Sequence, residues 1–182
     1  MKNTVIDLIT KTAVITGASS GVGLATAHLF AQNGYQLVLA ARGVEGLEKA
    51  VSECNAFGGK AVYKSTDVSN ANEVKDLVEF ALKEFGRIDV WVNNAGVMAS
   101  GKFEEIPMDI NEQVIKTNLM GYMHGAYYVL PVFKEQNQGI LINNVSIGGY
   151  MPAPFSSVYS ATKTGIKGLM SGLQSEYSAV SY

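Results

Sequence analysis

Three glycines with the spacing G-x-x-x-G-x-G lie near the start of the chain, at Gly17, Gly21 and Gly23. They follow a short apolar strand pattern at residues 12–16, and a helical pattern begins where they end. Glycine lets the backbone approach a pyrophosphate closely, and a helix N-terminus offers free N–H groups and positive potential. A plain glycine-rich turn is the alternative, but the strand–helix junction favours dinucleotide binding.

Strand and helix patterns alternate along the rest of the chain. A long helix is predicted over residues 110–136, bent near its end by Pro131, and a last helix from residue 158 to the chain end. Short apolar strands separated by helices indicate parallel strands with helices on both faces. We therefore predict an α/β fold with a doubly wound parallel sheet, in a single domain over residues 1–182. The further strand patterns cover residues 36–40, 61–65, 88–92 and 139–145.

Composition argues against several classes of function. The 182 residues are 47% apolar and carry a net charge of -2 without a polybasic run. Without a polybasic run we expect no nucleic-acid binding. No uncharged apolar stretch reaches about 18 residues, so we expect no membrane binding either. Residues 1–7 lack the apolar region of a signal peptide, and the single cysteine, Cys54, fits a core position in a cytoplasmic protein. His28 and His124 have no ligand partners nearby in sequence, so we expect no metal site.

Tyr159 and Lys163 are four residues apart in a helical pattern, and Ser146 lies thirteen residues before Tyr159. Residues with this spacing share one helix face, at about 5–6 Å between Cβ atoms. At about 4 Å and an effective dielectric constant near 20, a lysine ammonium stabilises a phenolate by roughly 4 kcal/mol. Such an attraction lowers a tyrosine pKa from about 10 by up to roughly three units, which gives a proton donor or acceptor near neutral pH. Taken alone, the pair fits a solvated helix face equally well.

The segment Asn93-Asn94-Ala95-Gly96 directly follows the fourth predicted strand. Side chains at the carboxyl end of a parallel strand lie where ligands bind in such sheets. A simple turn that caps the strand is the alternative interpretation.

Together these motifs closely resemble the classical short-chain dehydrogenase/reductase family over nearly the whole chain. The resemblance includes Asp67-Val68 after the third strand and Asn118 within Lys-Thr-Asn-Leu-Met-Gly. It implies a Rossmann-type fold. It also implies self-association, as a homodimer or homotetramer, through the long helices around Asn118 and Tyr159.

The resemblance implies catalytic roles for four residues. Tyr159 would protonate a carbonyl oxygen as hydride arrives, or act as the base in reverse, and Ser146 would hydrogen-bond the same oxygen. Lys163 would hold the nicotinamide ribose and lower the pKa of Tyr159. Asn118 would mark a helix irregularity whose freed carbonyl anchors a water leading to Lys163. For Asn118 alone, a polar residue on a long helix is the alternative.

The resemblance also implies a set of cofactor-binding residues. Asp67 would contact the adenine amino group, and Asn93 would lie beside the adenosine ribose. The full set consists of Gly17, Ser19, Ser20, Gly21, Val22, Gly23, Arg42, Asp67, Val68, Asn94, Ala95, Gly96, Tyr159 and Lys163.

The end of the second strand indicates which cofactor is used. An acidic residue there would bind the ribose 2′-hydroxyl and favour NAD. Here the acid is absent and Arg42, whose guanidinium suits a 2′-phosphate, follows the strand. Ser20 stands where many NADP-preferring relatives carry a base, so one of two cues is present. We predict NADP(H) rather than NAD(H), with Arg42 solvating a loop as the alternative.

Two features depart from the family pattern. Val145 replaces the usual serine before Ser146, which leaves the catalytic hydroxyl in place. Relatives continue from the last helix into further strands, a Pro-Gly turn and a substrate-covering lid, whereas this chain ends nineteen residues after Lys163. We therefore expect the C-terminal strands and lid to be missing from an incomplete chain, with the fifth strand as an apolar edge. Six residues could line an apolar substrate pocket or simply pack, namely Met98, Tyr150, Met151, Pro152, Pro154 and Phe155.

Three functions are compatible with these features. The first is an oxidoreductase that transfers a hydride between NADP(H) and a small-molecule alcohol/carbonyl substrate. The second is a non-catalytic NADP(H)-binding or regulatory module, and the third is a structural oligomerisation domain. The joint presence of Ser146, Tyr159 and Lys163 favours the enzyme, because a pure binding protein does not need these three residues together.

Overall fold

The computed structural model describes residues 10–177. Residues 1–7, and residues 178–182 of the predicted last helix, lie outside the described residues. The predicted doubly wound parallel sheet is confirmed. Within the described residues it has five strands, in the order β3-β2-β1-β4-β5, and every pair is parallel. The strands are β1 (Thr12–Thr16), β2 (Gln36–Ala41), β3 (Lys60–Ser65), β4 (Val90–Asn93) and β5 (Ile140–Asn143).

Helices connect the strands and cover both faces of the sheet. Short 3₁₀ turns occur at Phe103–Glu105 and Ile147–Gly149, and a π-helical turn at Lys116–Met120. The α-helices are α1 (Gly21–Gln32), α2 (Val44–Ala56), α3 (Ala71–Phe85), α4 (Met108–Ile115), α5 (Gly121–Gln136) and α6 (Ser157–Tyr177).

The alternation of side chains along β1 divides the core into two layers. Ala13 and Ile15 pack with α1 and α2 on one face, and Val14 packs with α3 and α5 on the other. Cys54 is fully buried in the first layer, so the prediction that it is a core residue is confirmed. His124 lies on α5 with Nδ1 2.9 Å from the Val68 carbonyl oxygen, as an ordinary helix residue.

The fourth strand is shorter than predicted and begins two residues later. The backbone N–H and C=O of Ile88 bond to the side chain of Gln136, at 3.0 and 2.7 Å, instead of joining the sheet. Pairing begins at Val90 and includes Asn93, which the sequence pattern had placed after the strand.

The fifth strand covers four residues rather than the predicted seven. The carbonyl oxygen of Asn144 bonds to Lys163 and Tyr122, so strand pairing ends there. Ile140 and Ile142 of β5 are exposed, which agrees with the predicted apolar edge.

The predicted long helix is interrupted. The helical region runs from Met108, at the start of α4, to Gln136, at the end of α5. Residues Lys116–Met120 form a π-helical turn between these two helices. Pro131 lies inside α5. No helix among residues 10–177 combines the length and apolarity that crossing a membrane requires.

Candidate active site at the carboxyl edge of the sheet

A groove of about 430 Å³ opens at the carboxyl ends of the strands. Ligands bind at this edge in open parallel sheets. The residues that line it are Gly17, Ser19, Ser20, Ala41, Arg42, Gly43, Thr66, Asp67, Val68, Asn94, Ala95, Gly96, Val97 and Thr117.

Nine of these residues belong to the cofactor set predicted from the sequence, and five do not. The sequence analysis missed Ala41 and Gly43 around Arg42, Thr66 before Asp67, Val97 after Gly96, and Thr117. All five adjoin residues of the quoted motifs, with Thr117 next to Asn118, so extending each motif by one position would have found them. The π-helical turn is the element that brings Thr117 to the groove.

The glycine loop runs close to the segment that follows β4. Gly17 has a φ of +66°, and a Cβ added there would lie 2.8 Å from the Ala95 Cα atom. A larger residue at this position would separate the two segments. Gly21 has a φ of +54° and open space beside it. Both positions therefore favour glycine, for conformational reasons and, at Gly17, for contact as well.

The start of α1 has free hydrogen-bond donors. Ser20 is the N-cap residue, and its side chain makes no capping hydrogen bond in the described structure. The N–H groups of the first turn, at Gly21, Val22 and Gly23, are the groups that bind anions at a helix N-terminus. These donors, beside glycines without side chains, fit the pyrophosphate of a dinucleotide.

Asn94 ties the glycine loop to the end of β4. Its Nδ2 donates to the carbonyl oxygens of Thr16 and Gly17, at 3.0 and 3.3 Å. Thr16 Oγ1 accepts from the backbone N–H groups of Asn94 and Ala95, at 3.0 and 3.2 Å. Thr16 is thus a structural partner of the site that the sequence analysis did not single out.

Asn93 does not lie where the family resemblance implied. Its side chain is buried, with Oδ1 accepting from Trp91 Nε1 at 2.8 Å and Nδ2 donating to Asn143 Oδ1 at 2.9 Å. The expected position beside the adenosine ribose is therefore wrong. Neighbouring residues of a strand point to opposite faces, and Asn93, as the last residue of β4, points towards α5.

Arg42 and Asp67 follow the neighbouring strands β2 and β3, and both line the groove. Arg42 is exposed, and no carboxylate partner of its guanidinium is present among residues 10–177. Asp67 Oδ1 accepts hydrogen bonds from the N–H and Oγ of Ser69, at 2.9 and 2.7 Å. Arg42 therefore offers an available cation at the end of β2.

Asn118 lies in the π-helical turn, at the position where an irregularity was predicted. Its side chain is fully buried. Oδ1 accepts from the Val97 N–H and Nδ2 donates to the Val97 carbonyl oxygen, both at 2.8 Å. The irregular turn is thereby joined to the segment that lines the groove.

Ser146 and Tyr159 meet around Gly148. Ser146 Oγ accepts a hydrogen bond from the Gly148 N–H at 3.1 Å, which leaves its own hydroxyl proton free to be donated. A Cβ added to Gly148 would lie 3.5 Å from Tyr159 Cε1 and 3.6 Å from Ser146 Oγ. The serine hydroxyl and the tyrosine ring thus border the same small space.

Lys163 shares the helix face of Tyr159, but its hydrogen bonds go elsewhere. Nζ lies 5.7 Å from the centroid of the Tyr159 ring and donates to the Asn144 carbonyl oxygen at 2.9 Å. The side chain is 4% exposed. Burial lowers the pKa of Lys163 to about 8, because desolvation disfavours the charged form.

The six residues considered for an apolar substrate pocket are all exposed, and none lines the groove. Phe155 is tied to the loop after β4, because its carbonyl oxygen accepts from the Gly101 N–H at 2.9 Å. Tyr150 packs its ring on Lys167 Nζ at 3.6 Å. These residues therefore lie at the surface outside the groove, and Tyr150 also lines a separate cavity of about 540 Å³.

The fold is a Rossmann-type open parallel sheet with helices on both faces, and comparison identifies the family. The family described as short chain dehydrogenase matches residues 11–181. The chain belongs to this family. An uncharacterized oxidoreductase of Listeria monocytogenes is 42% identical over 166 residues, which cover 91% of this chain and 67% of the relative.

Solved structures agree with this assignment. A short chain dehydrogenase/reductase from Burkholderia phymatum, in complex with NAD, superimposes with a TM-score of 0.90 at 35% identity, covering 92% of this chain and 60% of that one. An alcohol dehydrogenase from the archaeon Thermococcus sibiricus, complexed with 5-hydroxy-NADP, gives 0.88 at 34% identity, covering 92% and 71%. The chain therefore spans between 60% and 71% of the length of these two proteins.

Proposed function

We propose that the protein is an oxidoreductase that transfers a hydride between NADP(H) and a small-molecule alcohol/carbonyl substrate. The observation that carries this proposal has two parts. Ser146 and Tyr159 meet at Gly148, and Lys163 is linked through Asn144 to Asn94, which lines the groove. Family membership supports it, because the related structures from Burkholderia and Thermococcus hold NAD and a modified NADP.

Nine of the residues that would hold the cofactor line the groove, and the other five, Gly21, Val22, Gly23, Tyr159 and Lys163, lie outside its lining. The glycine loop, with Gly17, Ser19, Ser20, Gly21, Val22 and Gly23, would bind the pyrophosphate, and Asp67 with Val68 would bind the adenine. Asn94, Ala95 and Gly96 would form the floor, and Lys163 and Tyr159 would hold the nicotinamide ribose. When bound, the nicotinamide supplies or accepts the hydride.

Proton transfer would rest on the chain's own side chains. In reduction, Tyr159 Oη donates its proton to the carbonyl oxygen, while Ser146 Oγ donates a hydrogen bond to the same oxygen. The ammonium of Lys163 stabilises the phenolate that remains. Asn118 supports the site by holding the π-helical turn against Val97, which leaves turn carbonyl groups available to water.

We propose NADP(H) in preference to NAD(H). An acidic residue at the end of β2 would repel a 2′-phosphate, and this position lacks one. The exposed Arg42 guanidinium suits a phosphate by charge and by its forked geometry. Its lack of a carboxylate partner among the described residues supports this assignment.

The same proposal covers organisation and partners. Residues 1–182 would act as one dinucleotide-binding domain in the cytoplasm, without nucleic-acid or membrane partners. Self-association as a homodimer or homotetramer is supported by an apolar groove of about 740 Å³ between α3, α5 and α6, with Met123, Tyr127 and Leu169 on its walls.

The test follows NADPH consumption by the purified protein with a panel of aldehydes, ketones and quinones. We expect turnover with at least one class and its loss in Tyr159→Phe. Tyr63→Phe, which removes a hydroxyl at a distance from the site, is the matched control and should retain activity. Tight NADPH binding without turnover of any substrate would contradict hydride transfer and favour the non-catalytic binding module.

A further inference from the structure

Lys163 carries its charge in the interior without an opposite charge beside it. Its Nζ donates to two neutral oxygens, the Asn144 carbonyl at 2.9 Å and the Tyr122 hydroxyl at 3.3 Å. No carboxylate forms a salt bridge with it among residues 10–177. The buried ammonium therefore depends on these two neutral oxygens, because burying a charge without hydrogen bonds costs roughly several kcal/mol in a protein interior.

Tyr122 is well placed to accept a hydrogen bond from the Lys163 ammonium. It lies in the first turn of α5, directly after the π-helical turn, and is 1% exposed. Its hydroxyl donates to the Asn144 carbonyl oxygen at 3.1 Å, so an oxygen lone pair remains for Lys163. The Tyr122 ring centroid lies 4.8 Å from Nζ, within reach of a cation–π contact.

Lys163, Tyr122 and Asn144 form a hydrogen-bonded cluster, and other residues hold Tyr122 and Asn144 in place. The Tyr122 carbonyl oxygen accepts from Asn93 Nδ2 at 3.2 Å. Asn144 Nδ2 donates to Asn94 Oδ1 at 2.9 Å, and Asn94 in turn bonds to the glycine loop. The cluster is therefore connected to the groove that would hold the cofactor.

We propose that Tyr122 is a positioning residue, which keeps the Lys163 ammonium charged and directed at the face of Tyr159. The inference rests on the proposed function, since it assigns Tyr122 a part in the proton-transfer site. Tyr122 acts through Lys163 and touches neither reactant.

The titratable groups around Lys163 are consistent with this role. Burial, and the charge of nearby Tyr159, raise the pKa of the Tyr122 phenol, so its hydroxyl stays neutral and keeps both hydrogen bonds. Tyr159 faces Lys163 from α6 itself, and the turn Ile147–Gly149 has no titratable side chain. The elements of the long helix that pack on α6 contribute only exposed titratable groups, which are Asp109, Glu112 and Lys116.

The experiment compares Tyr122→Phe with wild type. The variant keeps the ring and loses the hydroxyl, so Lys163 loses one hydrogen bond to a charged group, and its pKa should fall by about one unit. Nitrogen-15 NMR of lysine Nζ, assigned with Lys163→Met, measures that pKa without any substrate. The alkaline limb of the kcat/KM profile should move to lower pH by about the same amount. Tyr128→Phe, on the same helix, should change neither.

An unchanged Lys163 pKa in a folded Tyr122→Phe protein overturns the proposal and makes Tyr122 a packing residue only. If Tyr122→Phe does not fold, 3-fluorotyrosine at position 122 replaces it, because the weaker acceptor must shift the pKa in the same direction. A lowered pKa in a protein without any NADPH turnover supports the positioning role and refutes the oxidoreductase instead. The two proposals therefore fail in distinguishable ways.

Discussion

Asn118 binds both backbone polar groups of Val97 through one side chain, with two hydrogen bonds of 2.8 Å. The amide thereby replaces a strand-like pairing between the π-helical turn and the segment after β4. Because Asn118 is fully buried, no water can take over either bond without a rearrangement.

Asn118→Leu is expected to lower the free energy of unfolding by about 1–3 kcal/mol, because both hydrogen bonds between the buried Asn118 side chain and the half-buried Val97 backbone would be lost. Denaturant unfolding measures the change. Asn111→Leu is the matched control, since Asn111 is also buried but its Oδ1 has no hydrogen-bond partner in the described chain. An equal loss of stability in both variants would contradict the importance of the Val97 contact.

Gly149→Ala should destabilise the protein much more than Gly148→Ala. A Cβ on Gly149 would lie 3.0 Å from the backbone C and O of Lys163, whereas one on Gly148 meets nothing closer than 3.5 Å. We expect Gly149→Ala to cost about 1–3 kcal/mol through displacement of α6, and Gly148→Ala to cost much less. Thermal unfolding of the two variants tests this, and similar melting temperatures would show that α6 tolerates the shift.

The stability of the protein should depend on the charge of Lys163. Its pKa falls from 10.5 to about 8 on folding, so the unfolded chain binds more protons between these two pH values. The contribution of Lys163 to stability therefore rises as the pH rises through this window, and its full cost is present below pH 8.

Removing the ammonium should then be most favourable at low pH. We expect the free energy of unfolding of Lys163→Met to exceed that of wild type by up to about 3 kcal/mol at neutral pH, on top of any pH-independent change. This difference should vanish towards alkaline pH, where Lys163 is neutral in the folded and unfolded chain alike. Denaturant unfolding across the pH range measures the difference. Lys167→Met, one turn further along α6 at a partly exposed position, is the control. A difference that does not vary with pH would mean that folding leaves the pKa of Lys163 unchanged.

Arg42→Ala tests the proposed cofactor preference. Loss of a guanidinium–phosphate contact should weaken NADPH binding by about tenfold or more, while NADH affinity should stay within about twofold. Fluorescence titration with each nucleotide gives both affinities. Lys49→Ala removes the same charge from an exposed site on α2 and should change neither. Equal weakening of both nucleotides would show that Arg42 does not distinguish them.

Much of the fold could be predicted because its signals are local. The glycine spacing, the alternation of strand and helix, and the Tyr159–Lys163 pair each depend on residues close in sequence. The boundaries of β4 and β5 were less predictable. They depend on Gln136 and Lys163, which compete for backbone groups from 48 and 19 residues away.

Local sequence patterns are enough to specify the parallel α/β architecture and the residue types at the carboxyl edge of the sheet, because side-chain periodicity and glycine conformation act over a few residues. Which polar groups meet at that edge depends on tertiary packing. The inward direction of Asn93, the bonds between Asn118 and Val97, and the contact of Tyr122 with Lys163 all join distant parts of the chain. Such contacts depend on how helices pack on the sheet, which no local pattern specifies.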